Sequence, residues 1–204
     1  MSEIYALSDD ALTPPQTIFS QIDEILRCGV KLVQYRSKLA ALDEALIRSL
    51  IGLCEDYGAK LIINDDAALA KKLGAHGVHI GKGDGETAQV REFLGADKIV
   101  GVSCYADLAH AQKAEAQGAS YVAFGSLRRG ETKPDAPLCP DALVQEARKS
   151  LNLPIAVIGG ISLENLNEIL ILKPDYIAMV EAIYKPASIT QNLANLKEKM
   201  DEYI

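Results

Sequence analysis

Short runs of aliphatic and β-branched residues recur along this chain, at intervals that leave room for one helix between each run and the next. The runs are Ile4–Leu7, Leu32–Tyr35, Leu61–Asn64, Gly77–Ile80, Ile99–Ser103, Tyr121–Gly125, Ile155–Gly159 and Tyr176–Val180. Runs of this length and composition predict buried strands. Eight strands that alternate with helices indicate a parallel sheet, because neighbouring parallel strands need a long crossover connection.

Helical periodicity fills the intervals between these runs. The segment Ala41–Tyr57 carries leucine and alanine at three- and four-residue spacing, which is typical of an amphipathic helix. Leu108–Gln117 is rich in alanine and is followed by Gly118, a common helix terminator. A last helix is expected from about Ala187 onward. The sequence therefore predicts one strand–helix unit that is repeated through the whole chain.

The number and size of these units favour a closed barrel. Eight units in 204 residues amount to about 25 residues each, which is near the lower size limit of a (β/α)8 TIM barrel. Right-handed crossovers can close the sheet in this way. We therefore expect an α/β protein with a single domain over residues 1–204. The alternative is an open, doubly wound sheet, but no Gly-x-Gly-x-x-Gly motif follows the first strand.

Composition excludes several classes of protein and partner. Apolar residues make up 49% of the chain and charged residues 24%, which excludes an intrinsically disordered chain. Lys and Arg total 21 against 28 for Asp and Glu, a net charge of −7. An acidic chain without a basic tract is not expected to bind nucleic acid nonspecifically. An anionic ligand must therefore be held by a few cations at defined positions.

Neither a membrane span nor a secretory signal is expected. The longest aliphatic run is Ile169–Leu172, far short of the roughly 20 apolar residues that span a bilayer. The N-terminal residues are acidic and lead directly into a strand, unlike a signal peptide. The four cysteines are far apart in the sequence, so neither a disulfide scaffold nor a zinc site is indicated. We expect a cytoplasmic protein.

Polar residues collect where the predicted strands end, which is where barrels carry their chemistry. Gln34, Arg36 and Lys38 alternate along the end of the second strand and so point the same way, toward the barrel mouth. Asp65 and Asp84 follow the third and fourth strands. Two carboxylates on neighbouring strand ends suit Mg²⁺, which commonly completes its coordination with water and substrate phosphate.

Simpler interpretations stand beside these. Two cations after a strand are often only solvated, and Asp66 is better read as a helix N-cap. Ser103 suits a substrate contact and a local turn equally well, whereas Cys104 is expected to be buried. We interpret His79 as a hydrogen-bonded interior residue and His76 as a surface residue.

Three later strand ends indicate a phosphate site. The long polar loop Gly125–Pro134 follows the sixth strand and contains Gly130, Thr132 and Lys133, groups that suit an anion, although a solvated loop is the alternative. The seventh strand ends in Gly159-Gly160 and the eighth in Val180-Glu181. Barrels frequently bind phosphate at the loops after strands seven and eight. A tight turn alone would also explain the glycine pair.

Six strings in order make the chain resemble the thiamine-phosphate synthase family. They are VQYRSK, INDD, GVHIGKGD, GVSCY, YVAFGS with ETKPDAP, and AVIGGI, and they extend from the second strand to the seventh. The resemblance implies the same (β/α)8 fold. It also implies a transferase that condenses 4-amino-2-methyl-5-(diphosphooxymethyl)pyrimidine with 4-methyl-5-(2-phosphooxyethyl)thiazole, with or without a carboxyl group on the thiazole. The products are thiamine phosphate and pyrophosphate.

The resemblance also implies a role for each matching residue. The catalytic residues would be Arg36, Lys38, Ser103 and Lys133. The pyrimidine diphosphate would contact Gln34, Arg36, Lys38, Asn64, Ser103 and Lys133. The thiazole phosphate would contact Gly130, Glu131, Thr132, Gly160, Val180 and Glu181. Asp65 and Asp84 would hold one Mg²⁺ per subunit. The partners would be these small molecules, with no nucleic acid and no membrane, and a homo-oligomer is compatible with the sequence.

The chain departs from the family pattern at two positions, both on the thiazole side. Gly130 stands where the family usually has a hydroxyl residue, so a backbone N–H would replace that hydroxyl and Arg128 or Arg129 would supply added charge. Glu181 stands where a small hydroxyl residue is common, so we expect only its backbone N–H to face the phosphate.

Two other functions remain as alternatives. A thiazole tautomerase of the same superfamily would need an acid–base histidine near Tyr105 and no diphosphate site. A noncatalytic barrel that binds thiamine phosphate would have little use for diphosphate and Mg²⁺ ligands.

Overall fold

Eight parallel strands form a closed barrel in which each strand pairs with the next along the chain and β1 pairs with β8. The computed structural model describes residues 2–130 and 135–203. The strands are β1 Glu3–Leu7, β2 Leu32–Tyr35, β3 Lys60–Asn64, β4 Gly77–Ile80, β5 Ile99–Tyr105, β6 Tyr121–Phe124, β7 Ile155–Ile158 and β8 Tyr176–Met179. The predicted (β/α)8 barrel is confirmed, and the open doubly wound alternative is wrong.

Helices surround the barrel and connect its strands. Over the described residues they are α1 Ile18–Arg27, α2 Glu44–Asp56, α3 Ala67–Leu73, α4 Thr87–Leu94, α5 Leu108–Ala116, α6 Asp141–Ser150, α7 Leu166–Leu170, α8 Glu181–Tyr184 and α9 Ile189–Asp201. No helix in this part of the chain combines the length and the apolar character that crossing a bilayer requires.

Side-chain caps explain where several helices begin. Asp43 accepts hydrogen bonds from the N–H groups of Ala45 and Leu46, so α2 begins at Glu44 rather than at the predicted Ala41. Asp66 caps α3 by accepting from the N–H of Leu69. The interpretation of Asp66 as an N-cap is therefore confirmed. Such caps satisfy N–H groups that have no partner within the helix.

The alternation of side chains along each strand produces two apolar layers. One set packs outward against the helices, and it includes Val33, Leu61 and Ile63. The other set fills the barrel interior and consists of Tyr5, Leu7, Leu32, Ile62, Tyr121, Ala123, Ala156 and Ala178. A barrel filled in this way is a packed core rather than a pore. A ligand must therefore bind at the rim where the strands end.

Candidate active site

The carboxyl ends of β2 to β5 bring the predicted diphosphate residues to one rim of the barrel. Lys38 extends from the segment after β2 and donates from Nζ to Oδ2 of Asp65, at 2.7 Å. Asp65 follows β3, and its backbone N–H donates to the carbonyl of His79 in β4. The strands are neighbours in the sheet. The rim therefore joins a cation to a carboxylate across two strand ends that are far apart in sequence.

The carboxylate of Asp65 has close polar neighbours. Partial burial tends to raise its pKa, but the hydrogen bond and the charge of Lys38 outweigh that effect. Hydrogen bonding to Asp84 and Asn64 adds to the lowering, so the pKa of Asp65 lies below its ordinary value. Asp65 also has a left-handed backbone, with φ of 65°. The structure thus brings Asp65, Asp84, Asn64 and Lys38 together, as the sequence predicts.

Asp84 is fixed by the short loop after β4. Its Oδ2 accepts a hydrogen bond from the N–H of Gly81 at 2.7 Å. The hydroxyl of Tyr105, at the end of β5, accepts a bond from the N–H of Lys82 at 3.3 Å. Tyr105 itself has a left-handed backbone, with φ of 54°. This bracing from the adjacent strand holds the Asp84 carboxylate at the rim.

The donor set fits Mg²⁺ bound mainly through water and phosphate. Two carboxylates from neighbouring strand ends are hard oxygen ligands, and Mg²⁺ needs only one or two of these when phosphate supplies the others. Within residues 2–130 and 135–203, no group of three or more His, Cys, Asp or Glu side chains is arranged as a complete metal cage. The residues present therefore suit a metal that is shared with a phosphorylated ligand.

Residues after β1 hold the end of β2, although they are not among the predicted site residues. The buried hydroxyl of Ser8 accepts from the N–H of Arg36 at 2.7 Å and donates to the Arg36 carbonyl. Oδ2 of Asp9 lies 3.7 Å from Nη1 of Arg36, and Asp10 accepts from the N–H of Lys38. The sequence does contain a signal for these residues, because Ser8, Asp9 and Asp10 are polar and directly follow the first predicted strand.

Gln34 lies deeper than the mouth of the barrel. It is 3% exposed, and its Nε2 donates to the hydroxyl of Tyr5 at 2.8 Å. The hydroxyls of Tyr5 and Tyr121 are 2.9 Å apart. Tyr121 is in turn 2.8 Å from Nδ1 of His79. These bonds form a polar path through an otherwise apolar interior.

His79 joins that path to Ser103 at the rim. Its Nε2 lies 2.8 Å from Oγ of Ser103. Burial lowers the pKa of His79 to about 4, against an opposing effect of the Asp65 charge, so the ring is neutral near pH 7. The interpretation of His79 as a hydrogen-bonded interior residue is confirmed. Ser103 makes a hydrogen bond to a strand neighbour and is not fully buried.

The predicted burial of Cys104 and the predicted exposure of His76 have opposite outcomes. Cys104 is fully buried, as expected, and burial raises the pKa of its thiol to about 12. The interpretation of His76 as a surface residue is wrong, because its side chain is only 14% exposed. Its Nδ1 accepts a hydrogen bond from the N–H of Leu61 at 3.1 Å, which ties the loop before β4 to β3.

On the other side of the rim, the loop after β6 lies directly on the turn after β7. The N–H of Arg128 donates to the carbonyl of Gly159 at 3.0 Å. Gly160 has φ of +58°, and a Cβ at this position would lie 2.4 Å from the carbonyl oxygen of Arg129. A Cβ at Gly130 would lie 3.3 Å from Cα of Gly160. The structure thus brings Gly130 and Gly160 together.

The remaining thiazole-side predictions have different outcomes. Val180 is the N-cap of α8, and Glu181 is its first residue. Glu131, Thr132 and Lys133 lie outside the described residues, so their predicted roles stay predictions. The guanidinium of Arg128 is already paired with carboxylates. It forms a bidentate pair with Asp141 and a further bond to Glu168. Arg128 is therefore an anchor for the loop rather than added charge for a phosphate.

Replacing Arg128 with alanine is expected to lower the free energy of unfolding by about 1–2 kcal/mol. This lies between the values for exposed ion pairs and for charge-assisted hydrogen bonds, because the side chain is 25% exposed and its partners are more so. Arg148 is the matched control, since it makes a single ion pair with Asp175. Equal losses for Arg128→Ala and Arg148→Ala in chemical denaturation would contradict the anchoring role.

Comparison with known proteins identifies similar sequences over most of the chain. A family model described as thiamine monophosphate synthase matches residues 4–183. A thiamine-phosphate synthase of Nitrosococcus oceani is 43% identical over 188 residues, which is 91% of this chain and 87% of that protein. A thiamine-phosphate synthase of Azoarcus sp. is 42% identical over 192 residues and 92% of both chains.

Solved structures agree in fold. A thiamine phosphate pyrophosphorylase from Pyrococcus furiosus superposes with a TM-score of 0.88 at 26% identity, over 99% of this chain and 96% of that one. A structure described as native KDPGal superposes with a TM-score of 0.76 at 12% identity, over 98% of this chain and 95% of that one. At that identity the likeness extends to the barrel fold alone.

Proposed function

The chain belongs to the thiamine monophosphate synthase family, and we propose that the rim formed by the strand ends is where the family's reaction takes place. The reaction is a transferase step of thiamine biosynthesis. A pyrimidine diphosphate and a thiazole phosphate condense to thiamine phosphate, and pyrophosphate is released. The observation that carries this proposal is the cluster of Lys38, Asp65 and Asp84 at adjacent strand ends.

The proposed site meets the main requirement of the chemistry, which is a departing diphosphate. The C–O bond to the diphosphate breaks, and its electron pair leaves with the pyrophosphate. The lone pair of the thiazole nitrogen then forms the new bond to the exocyclic carbon. Arg36 and Lys38 are suited to stabilise the leaving charge, since positioned cations stabilise charge that develops in a transition state. The family resemblance adds Lys133 as a third cation.

We propose Mg²⁺ as the metal and Asp65 and Asp84 as its protein ligands. When bound, Mg²⁺ would neutralise part of the diphosphate charge. The Lys38 ammonium pairs with Asp65 at 2.7 Å and is suited to bind a phosphate oxygen at the same rim. Asn64 supports the Asp65 carboxylate from the same strand end.

Asp84→Asn is expected to raise the Mg²⁺ concentration needed for half-maximal turnover by at least about 10-fold, because the loss of even an outer-shell partner of a metal ligand weakens metal affinity by roughly 10–100-fold. The carboxamide oxygen can still accept the bond from Gly81, so the loop should keep its shape while the charge is removed. Asp66→Asn is the matched control, because Asn also caps helices well and Asp66 serves α3. An unchanged Mg²⁺ dependence in Asp84→Asn would contradict the assignment.

The thiazole phosphate is proposed to bind across the turn after β7 and the loop after β6. Gly130 and Gly160 let the loop after β6 and the turn after β7 approach each other closely, and backbone N–H groups at such a junction are good phosphate donors. Glu131 and Thr132 belong to this side by resemblance, as do Val180 and Glu181 at the end of β8. Binding both rings at one rim supplies proximity for the bond-forming step.

We also propose that the protein is cytoplasmic. Cys28, Cys54, Cys104 and Cys139 are free thiols, which supports a reducing compartment, because disulfides form and persist mainly in oxidising ones.

An assay with both substrates and Mg²⁺ tests the function. We expect pyrophosphate and thiamine phosphate to form in equal amounts. Conversion of a thiazole carboxylate tautomer without pyrophosphate would favour the tautomerase instead. Tight binding of thiamine phosphate without turnover of the precursors would favour a noncatalytic binding protein.

A further inference from the structure

A continuous chain of hydrogen bonds crosses the barrel interior and ends at the proposed pyrimidine site. Its members come from five strands, and in order they are Gln34, Tyr5, Tyr121, His79 and Ser103. The successive donor–acceptor distances are 2.8, 2.9, 2.8 and 2.8 Å. Within the described residues, no buried side-chain nitrogen or oxygen lacks a hydrogen-bond partner. This series of hydrogen bonds, which we call the interior relay, therefore satisfies polar groups that would be costly to bury alone.

The direction of the interior relay follows from counting protons at its first three members. Nε2 of Gln34 can only donate, and it donates to the hydroxyl of Tyr5. A phenol has a single proton, and the oxygen of Tyr5 already accepts from Gln34, so we infer that Tyr5 gives its proton to its other partner, Tyr121. Tyr121 then accepts from Tyr5, and we infer that it gives its own proton to Nδ1 of His79. Each bond thus sets the direction of the next.

The same count fixes the tautomer of His79 and the role of Ser103. A neutral imidazole that accepts at Nδ1 carries its proton on Nε2. His79 therefore donates from Nε2 to Oγ of Ser103. The hydroxyl proton of Ser103 is not needed inside the relay and is left for a ligand at the rim. Were the relay reversed, Ser103 would donate to His79 and could only accept from a ligand.

Packing holds the interior relay in this arrangement. A Cβ at Gly101 would lie 2.1 Å from Cζ of Tyr121, so the glycine of β5 makes the space that this ring occupies. The Tyr121 ring stacks on His79 with centroids 5.5 Å apart, and it meets Tyr5 and Tyr176 edge-on. The rings cannot swing without displacing these neighbours. The hydroxyl groups are consequently preorganised before a substrate arrives.

We propose that the interior relay is a positioning device that presents Ser103 as a hydrogen-bond donor to a ring nitrogen of the aminopyrimidine substrate. The identity of that substrate rests on the proposed function. A ring nitrogen is an acceptor, so only one direction of the relay matches it. Tyr5, Tyr121 and His79 act through Ser103 and do not touch the substrate.

The tautomer of His79 can be tested without any substrate. The chain has 3 histidines, so long-range proton–nitrogen NMR spectra of the labelled protein can be assigned with one His79 variant. We expect a protonated Nε2 and an unprotonated Nδ1 in His79. In Tyr121→Phe, where Nδ1 loses its donor, we expect that preference to weaken. Protonation of Nδ1 in the unsubstituted protein would overturn the proposal.

The functional coupling is tested by a double-mutant cycle of Tyr121→Phe and Ser103→Ala. Tyr121→Phe is expected to lower kcat/KM for the pyrimidine diphosphate by roughly three- to tenfold, the value of one neutral hydrogen bond. It should cause no further loss in the Ser103→Ala background. An equal loss in both backgrounds would overturn the proposal, because Tyr121 would then act independently of Ser103.

Tyr176→Phe is the matched control, since its ring packs against the same two tyrosines but its hydroxyl is outside the relay. It should leave kcat/KM unchanged, and a loss equal to that of Tyr121→Phe would overturn the proposal. If Tyr121→Phe does not fold, Tyr5→Phe replaces it in the cycle, because it removes the preceding hydrogen bond of the relay, between Tyr5 and Tyr121. An unsubstituted protein without turnover would count against the proposed function, whereas the tautomer measurement would still decide the direction of the relay.

Discussion

Arg36→Ala is expected to lower kcat at saturating substrates by a factor of about 10²–10³, which is the usual effect of losing one preorganised donor to developing charge. The backbone of Arg36 is held on both sides by Ser8. Among the described residues, its guanidinium has only a long contact with Asp9, at 3.7 Å, so it can turn to a diphosphate. The same loss is expected for Lys133→Ala on the family resemblance. Steady-state pyrophosphate release measures both.

Arg27→Ala is the control for this prediction. Arg27 ends α1, is 69% exposed and pairs with Asp23 one turn away, so its loss should leave kcat unchanged. Thermal unfolding would show whether Arg36→Ala keeps the fold. A folded Arg36→Ala protein with the turnover of the unsubstituted chain would contradict the role of Arg36 in stabilising the leaving group.

Gly160→Ala is expected to lower the free energy of unfolding by about 2–5 kcal/mol and to raise KM for the thiazole phosphate. A left-handed backbone costs about 1–2 kcal/mol when a Cβ is added, and overpacking adds about 1–3 kcal/mol. Both apply here, because φ is +58° and the new Cβ would lie 2.4 Å from a backbone oxygen of Arg129. The three nearest atoms are all backbone atoms of Arg128 and Arg129, which leave little room for relief.

Gly74→Ala separates the two causes of this loss. Gly74 also has a left-handed backbone, with φ of +78°, but nothing lies within 4 Å of the added Cβ. In Gly74→Ala the free energy of unfolding should therefore fall only by the cost of the left-handed backbone, about 1–2 kcal/mol. The KM for the thiazole phosphate should not change. Equal losses in the two variants by chemical denaturation would show that the loop after β6 does not press on the turn after β7.

The barrel and most of its rim could be predicted from sequence because both depend on local patterns. Hydrophobic runs mark the strands, and the carboxyl ends of parallel strands meet on one face. Asp65 and Asp84 come together for that reason alone. The capping role of Asp66 is equally local, since it depends on residues within one helical turn.

The interior relay and the anchoring of the β6–α6 loop could not be predicted in that way. Tyr5 and Tyr121 are 116 positions apart, and their contact depends on the register of every strand between them. From sequence, Arg128 is predicted to add charge beside a phosphate. In the structure it pairs with Asp141 of α6 and Glu168 of α7, whose positions the sequence does not predict. His76 looks like a surface residue in sequence, yet the packing of neighbouring strands largely covers it.

The left-handed backbones of Asp65 and Tyr105 imply a trade-off between activity and heat tolerance. Residues with a Cβ are strained at φ of 65° and 54°, at a cost of about 1–3 kcal/mol each. Asp65 carries a carboxylate that glycine cannot supply, and the phenol of Tyr105 braces the neighbouring loop. Relief of the strain at either position would raise the melting temperature of this barrel, but it would remove the carboxylate or the phenol that the rim uses.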